Sequence, residues 1–353
     1  MSHPPTLQPS WTNQHLSGLS ASNPPASPII KTLKVGLAGC GTVGQSVLTM
    51  LHRQKALFHS LDYAVQLEGV YVRDTLRARD FDYPGATLSD NPHFLEGVDV
   101  LIEVMGGVDR PLELWTPHLE KGGIVITANK ALMAERWDAI RKYVENGQVY
   151  FEASVMAGTP IITPLATILR ASTPVRLEAT LNGTCNYILS EMERGNTFER
   201  ALLEAQRLGY AESDPTLDVG GGDSAHKLTL LARMFIDPEY ALERVQVRGI
   251  DTLAPGAVVE AQARGEKIRL LCCIEREGGE WVARVEPRAL PLSHPIAQAD
   301  SSQNALMFVG EECGTVIFTG NGAGGMTTAS AIVGDLMGHM DGIPGPKQVS
   351  LVR

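Results

Sequence analysis

Four carboxylates and one lysine crowd the segment GYAESDPTLDVGGGDSAHK at 209–227: Glu212, Asp214, Asp218, Asp223 and Lys227. Glycines and a proline make most of it a loop, and the loop opens a helix. Asp223 and Lys227 stand four apart, so one helix face carries both. Such a pair adds only about 0.3 kcal/mol to an exposed helix. Helix support gives no reason for three more acids ahead of it, in a loop with consecutive glycines at 220–222. The residue types suit a site that holds a small zwitterion and delivers one proton. Asp214, just before Pro215, reads as a turn cap.

Three other segments carry candidate chemistry. TANKALMA (127–134) places Lys130 just past an apolar strand, where the carboxyl ends of a parallel sheet face a crevice. FEASVMAGTPII (151–162) joins Glu152 to a Gly-bearing loop, which suits a hard monovalent cation or loop closure, and the residues alone favour closure. LNGTCNYILSEM (181–192) sets Gly183 and Thr184 at a helix start. Cys185 follows them, and a helix N-terminus favours a thiolate. With no histidine partner nearby, Cys185 reads better as a small packed residue.

A dinucleotide site is written in GCGTVG, Gly39 to Gly44. Gly39 permits the tight turn, Gly41 lets backbone approach a pyrophosphate, and Gly44 lets helix and strand pack closely. Thr42 and Val43 open the helix, whose N–H groups and dipole favour phosphate. Gly106, in the glycine pair closing the third strand, joins the same set. After the second strand the chain reads YVRDTLRAR. Arg73 there favours NADP by accommodating a 2′-phosphate, while Asp74 keeps NAD open. Arg77 and Arg79 read as a solvated charge cluster.

The elements that must position these residues follow from periodicity. Short apolar runs at LKVGLAG, 65–72, 99–107, 123–128 and QVYFEAS read as five strands, with helices between them. One helix is expected through 129–147, stopped by Gly147. Apolar strands alternating with helices imply an α/β domain, a parallel sheet covered on both faces. Order is expected to begin near Leu33. After about 152 the pattern changes. TPIITPLATILRAS, CNYILSEMERG and TFERALLEAQRLG read as helices. VRLEATLNG, ERVQVRGI, KIRLLCCIE, EWVARVEP, ALMFVGEE and TVIFTG read as strands, the later ones antiparallel. The expected organisation is a tail at 1–31, disordered and rich in Ser, Pro and Asn; a Rossmann dinucleotide-binding domain at 32–152; a mixed α+β domain at 153–317; and a Gly-rich turn and helix at 318–345 returning to the first domain.

Composition narrows the class. The 353 residues carry a formal net charge of -10 without a long basic run, which argues against nucleic acid or an anionic membrane as partner. No apolar run approaches the roughly 20 residues that span a bilayer, and the start lacks the basic-then-apolar plan of a signal peptide. Five scattered cysteines without a CxxC pair fit a reducing cytoplasm.

NGTCNYIL and LGYAESDPTLDVGGGDSAHK, with GCGTVG and TANKALMA, resemble homoserine dehydrogenases, in that family's order and from about Leu33 to Gly334. The resemblance implies reversible reduction of L-aspartate 4-semialdehyde to L-homoserine with NAD(P)H, in threonine, isoleucine and methionine biosynthesis. It implies a Rossmann domain with a dimerisation and catalytic region, and a homodimer. Lys227 matches the proton-donating lysine, and Glu212 the residue binding the substrate's amino group. Asp218 and Asp223 match acids lining the site. Lys130 matches a lysine touching cofactor and substrate, and it could be the donor instead. Gly324 matches a late glycine near the nicotinamide. Glu152, Val155, Ala157 and Thr159 match a sodium site, the last three through carbonyls. Ending at Arg353, the chain resembles short members without a C-terminal regulatory ACT domain, so threonine feedback through one is not expected. Two rivals remain: a phosphorylating semialdehyde dehydrogenase using Cys185, and a non-catalytic NADP sensor on the same scaffold.

Overall fold

The structure, a computed structural model, describes residues 30–347. Residues 1–29 of the tail expected at 1–31 lie outside the described residues, and the first strand starts inside that span, at Lys31, two residues before Leu33.

Six strands form the first sheet: β1 (Lys31–Ala38), β2 (Tyr63–Tyr71), β3 (Leu88–Ser89), β4 (Val100–Glu103), β5 (Ile124–Thr127) and β6 (Val149–Tyr150). Their order is β3-β2-β1-β4-β5-β6, and every pair is parallel. The order reverses between β1 and β4, and that reversal opens a crevice at the carboxyl ends of the strands. Val35 and Leu37 of β1 are fully buried. They share a core with Val47 and Leu48 of the helix Thr42–Arg53 and with Ile332, Val333 and Leu336 of the helix Gly325–Met340. The last helix thus packs on the first sheet. A Cβ at Gly325 would stand 2.5 Å from Ser46 Oγ and 3.0 Å from Thr42 O, so glycine eases this approach.

The second sheet runs β12-β11-β7-β9-β10-β8. Its strands are β7 (Pro174–Thr180), β8 (Gln246–Val247), β9 (Glu266–Glu277), β10 (Glu280–Pro291), β11 (Gln303–Gly310) and β12 (Gly314–Asn321). One face packs on the helices Gly183–Glu193 and Gly222–Phe235 through Leu177, Ala179, Ile188, Leu231 and Ile274. From Asp223 to Phe235 every residue of the latter helix is buried. Helix burial therefore carries Asp223 and Lys227 into the interior, where a charge persists only if paired.

Several elements differ from expectation. The helix foreseen through 129–147 breaks at Arg136 into Lys130–Glu135 and Trp137–Glu145. Arg233 takes the Met133 and Ala134 carbonyls that a continuing helix would bind (2.6 and 2.9 Å). QVYFEAS keeps only β6 as strand, and Ala153–Met156 is a helical turn. TPIITPLATILRAS is a short helix, Ile162–Ala166, followed by a 3-10 turn. ERVQVRGI supplies only β8, which pairs parallel to β10 at the sheet edge rather than antiparallel. β3 had no sequence signal.

Candidate active site

The glycine-rich loop lies at the switch point. Gly39 has φ +101°, and a Cβ there would meet the Val104 backbone at 2.8 Å. A Cβ on Gly44 would stand 2.2 Å from Gly39 O. Fold packing thus requires both glycines. Gly41 differs, because a Cβ there would meet no protein atom within 4 Å. It lines a cleft of about 830 Å³ together with Gly39, Arg73, Val104 and Gly106. The helix Thr42–Arg53 starts behind it with no side-chain cap and no acid in its first turn. Free N–H groups and the open space at Gly41 fit a pyrophosphate. Thr42 and Val43 form the first turn of that helix. Gly106 holds φ +71° on the opposite wall.

Arg73 is exposed on this cleft and has no ion-pair partner among the described residues. Asp74 is otherwise engaged: its Oδ1 accepts from Leu76 N (2.9 Å) and Arg77 N (3.2 Å), closing its own loop. Arg79 is not part of a solvated cluster. Its guanidinium donates to Cys40 O (3.1 Å), Arg77 O (2.8 Å) and Asp74 O (2.8 Å), tying the arginine loop to the glycine loop.

The second unit contributes a cluster that meets the first next to Asn129, whose Nδ2 donates to the cleft-lining Gly107 O at 2.8 Å. Lys227 Nζ donates to Asp223 Oδ2 and to Leu181 O, both at 2.7 Å. Lys130 Nζ lies 3.2 Å from Asp223 Oδ1. One carboxylate thus bridges two ammoniums, one from each unit. Burial alone would raise the Asp223 carboxyl, but Lys227, Lys130 and the Asn182 amide outweigh it and hold it far below the usual range. Burial pushes Asp218 up, against a hydrogen bond from Asn182, and the Asp223 charge adds to the rise. Asn182 donates to Asp218 Oδ1 (2.7 Å) and Asp223 Oδ2 (2.9 Å).

Glu212 is exposed on the loop ahead of this cluster, with its backbone carbonyl held by Gln206 Nε2 at 3.0 Å. Thr184 Oγ1 donates to Tyr210 O (2.6 Å), so the hydroxyl tethers that loop. Gly183 packs against Ser302, whose oxygen a Cβ would approach to 2.9 Å. Asp214 caps its turn through Thr216 N and Oγ1 (3.1 and 2.6 Å). Gly324, φ +126°, precedes the last helix.

At two positions the geometry favours one of the readings that the sequence left open. Cys185 is fully buried and donates its thiol to Asp218 O, and burial with the Asp218 and Asp223 charges pushes its pKa well up. A thiol so placed is inert, which removes the nucleophile that a phosphorylating enzyme needs. The Glu152 carboxylate is turned onto its own loop. Both oxygens accept backbone N–H groups, Ile161 (2.5 Å) and Ile162 (2.7 Å) on one, Thr163 (2.7 Å) on the other. Loop closure is its role. Among the described residues no group of three or more His, Cys, Asp or Glu could hold a metal ion.

Sequence reasoning missed Asn182, Asn304, Glu103 and Arg233. Asn304 donates to Leu181 O (3.0 Å), the carbonyl that also holds Lys227. Glu103, fully buried at the end of β4, accepts from Met105 N (2.7 Å), Thr127 Oγ1 (3.0 Å) and Asn129 Nδ2 (3.2 Å). It thereby ties the Gly106 turn to the start of the Lys130 helix. A lone polar residue at a strand end leaves no pattern that periodicity can register.

Known proteins share this architecture. Residues 39–153 match the model of the homoserine dehydrogenase NAD binding domain, and residues 160–337 that of homoserine dehydrogenase. A homoserine dehydrogenase of Bacillus subtilis is 36% identical over 318 residues, covering 88% of this chain and 73% of the relative. The crystal structure of one from Thiobacillus denitrificans superposes with a TM-score of 0.82 at 36% identity, over 88% of this chain and 73% of that one. A hyperthermophilic archaeal homoserine dehydrogenase in complex with NADPH gives 0.74 at 26% identity, over 90% of this chain and 100% of that one. With both matched regions in sequence, and with relatives above 30% identity over most of the chain, the chain belongs to the homoserine dehydrogenase family of NAD(P)-dependent oxidoreductases acting on a CH–OH group.

Proposed function

We propose that the chain interconverts L-aspartate 4-semialdehyde and L-homoserine, with Lys227 as the proton donor in the reducing direction. The observation that carries the assignment is the state of the Lys227 ammonium. Two of its three N–H groups are spent on Asp223 and Leu181 O, which leaves one to give. Lys130, more exposed and held by one contact, is the rival donor. When bound, the nicotinamide supplies hydride to the aldehyde carbon. Negative charge then grows on the carbonyl oxygen, where a fixed ammonium stabilises it and supplies the proton. Glu212 and Asp218 take the substrate's ammonium, because Asp223 is already saturated by two lysines and an amide. Holding that end fixed orients the carbonyl.

NADP is the favoured cofactor, on the strength of an unpaired Arg73 and an Asp74 turned into its own loop. NAD remains the alternative. A sodium ion near 152–159 would rest on the carbonyls of Val155, Ala157 and Thr159, without the Glu152 side chain, and no step passes through it. The same reading carries a homodimer, a cytoplasmic place in threonine, methionine and isoleucine biosynthesis, and units bounded at 32–152, 153–317 and 318–345. Among the described residues no helix is long and apolar enough to cross a membrane. NADPH oxidation in the presence of aspartate semialdehyde, against NADH and against other aldehydes, tests the proposal. Absence of turnover with NADPH bound would leave the sensor reading standing.

A further inference from the structure

Asn182 occupies the corner between β7 and the helix Gly183–Glu193, and is 3% exposed. Its Oδ1 accepts from Cys185 N at 2.8 Å, which caps that helix. The cap fixes the amide orientation: with the oxygen on an N–H, the nitrogen must face the acids. Both amide hydrogens are then used, one on Asp218 Oδ1 (2.7 Å) and one on Asp223 Oδ2 (2.9 Å). Every hydrogen-bonding atom of the side chain is engaged.

We infer that Asn182 is a positioning residue that sets the separation of Asp218 and Asp223 and aims the remaining oxygen of Asp218 at the substrate's ammonium. Two carboxylates in a half-dry site repel each other and tend to share one proton. A donor placed between them relieves that repulsion without a charge of its own. Asp218 Oδ2 has no partner among the described residues and is the one oxygen of the pair left for a ligand. The charged and titratable groups around the pair are Lys227 and His226 on the Asp223 helix, Lys130 across the seam, Cys185 beside Asn182, and Cys272 on β9.

The inference rests on the substrate placement proposed above. Asn182→Asp separates capping from clamping, because aspartate caps a helix as well as asparagine does. It puts a third carboxylate where the donor stood. Expected are a fall in kcat of about 100-fold, and an acid limb of the pH profile of kcat/KM displaced upward by about one pH unit. NADPH binding should be unchanged. Asn182→Ser also caps but replaces the two-donor amide with one short hydroxyl, without adding charge, and a fall of about tenfold is expected. If Asn182→Asp does not fold, the serine variant decides alone. Variants with kcat within twofold of the parent and an unmoved acid limb would overturn the inference and leave Asn182 a cap. The limb belongs to the carboxylates, so it reports on the clamp even if Lys130 proves to be the donor.

Discussion

The two halves of the proposed active site are made of different material. The cofactor half is largely backbone: three glycines, an uncapped helix start, and an exposed arginine without an ion-pair partner among the described residues. The substrate half is a set of side chains, mostly buried, already bonded to each other, in which Asp223 serves Lys227, Lys130 and Asn182 at once. Parts of the first kind act almost independently, so their losses should nearly add and fall on cofactor affinity. Parts of the second kind share partners, so their losses should fall on turnover and should not add.

Lys227→Ala tests the contrast at its strongest point. Turnover should fall about 1,000-fold while NADPH titrated by fluorescence binds as before. Near-normal turnover would move the donor to Lys130. Asp223→Asn comes next, leaving two ammoniums facing a neutral amide. A fall in kcat of about 100-fold is expected, with a loss of about 3 kcal/mol in urea unfolding, since a buried pair is broken. Combined with Lys227→Ala, it should cost far less than the sum of the two. Additive losses would dissolve the distinction between the halves.

In the cofactor half, Arg73→Asp should raise KM for NADPH about 30-fold and hardly change that for NADH. Equal changes would remove the 2′-phosphate role. The smallest and sharpest test compares Gly41→Ala with Gly44→Ala. The first should weaken NADPH about tenfold at unchanged melting temperature, because its Cβ meets only the empty cleft. The second should lower stability by about 2 kcal/mol, because its Cβ collides with Gly39 O. A Gly41→Ala enzyme with parental NADPH affinity would show that the cradle does not close on the pyrophosphate.

The same contrast governs what could be read in advance. The cradle is legible because its parts are neighbours in sequence: strand, turn and helix fall within Lys31–Arg53. Within the acidic segment, the Asp223–Lys227 pair is legible through helical spacing alone. What ties that segment into a site is not. Asn182 lies 36 residues from Asp218, and Leu181 lies 46 from Lys227. Arg79 looked solvated because its partner Cys40 is 39 residues away. The helix at 129–147 looked continuous because the group that interrupts it, Arg233, sits a hundred residues on from Met133. Local patterns report what a segment prefers, and a distant side chain can overrule them without leaving a mark nearby.

Arg233 carries one more consequence. It is 2% exposed, has no carboxylate partner among the described residues, and joins Met133 O, Ala134 O and Tyr240 O over the Trp137 ring. The helix that bears it also bears Asp223 and His226, which reach Lys130 and Glu135. A seam stitched at three places along two helices should not open like a hinge. Amide protons of 130–135 and 222–235 should therefore exchange together, in a single cooperative opening. Breathing that admits and releases ligands would belong to the loops at 73–79 and 209–215, which exchange first.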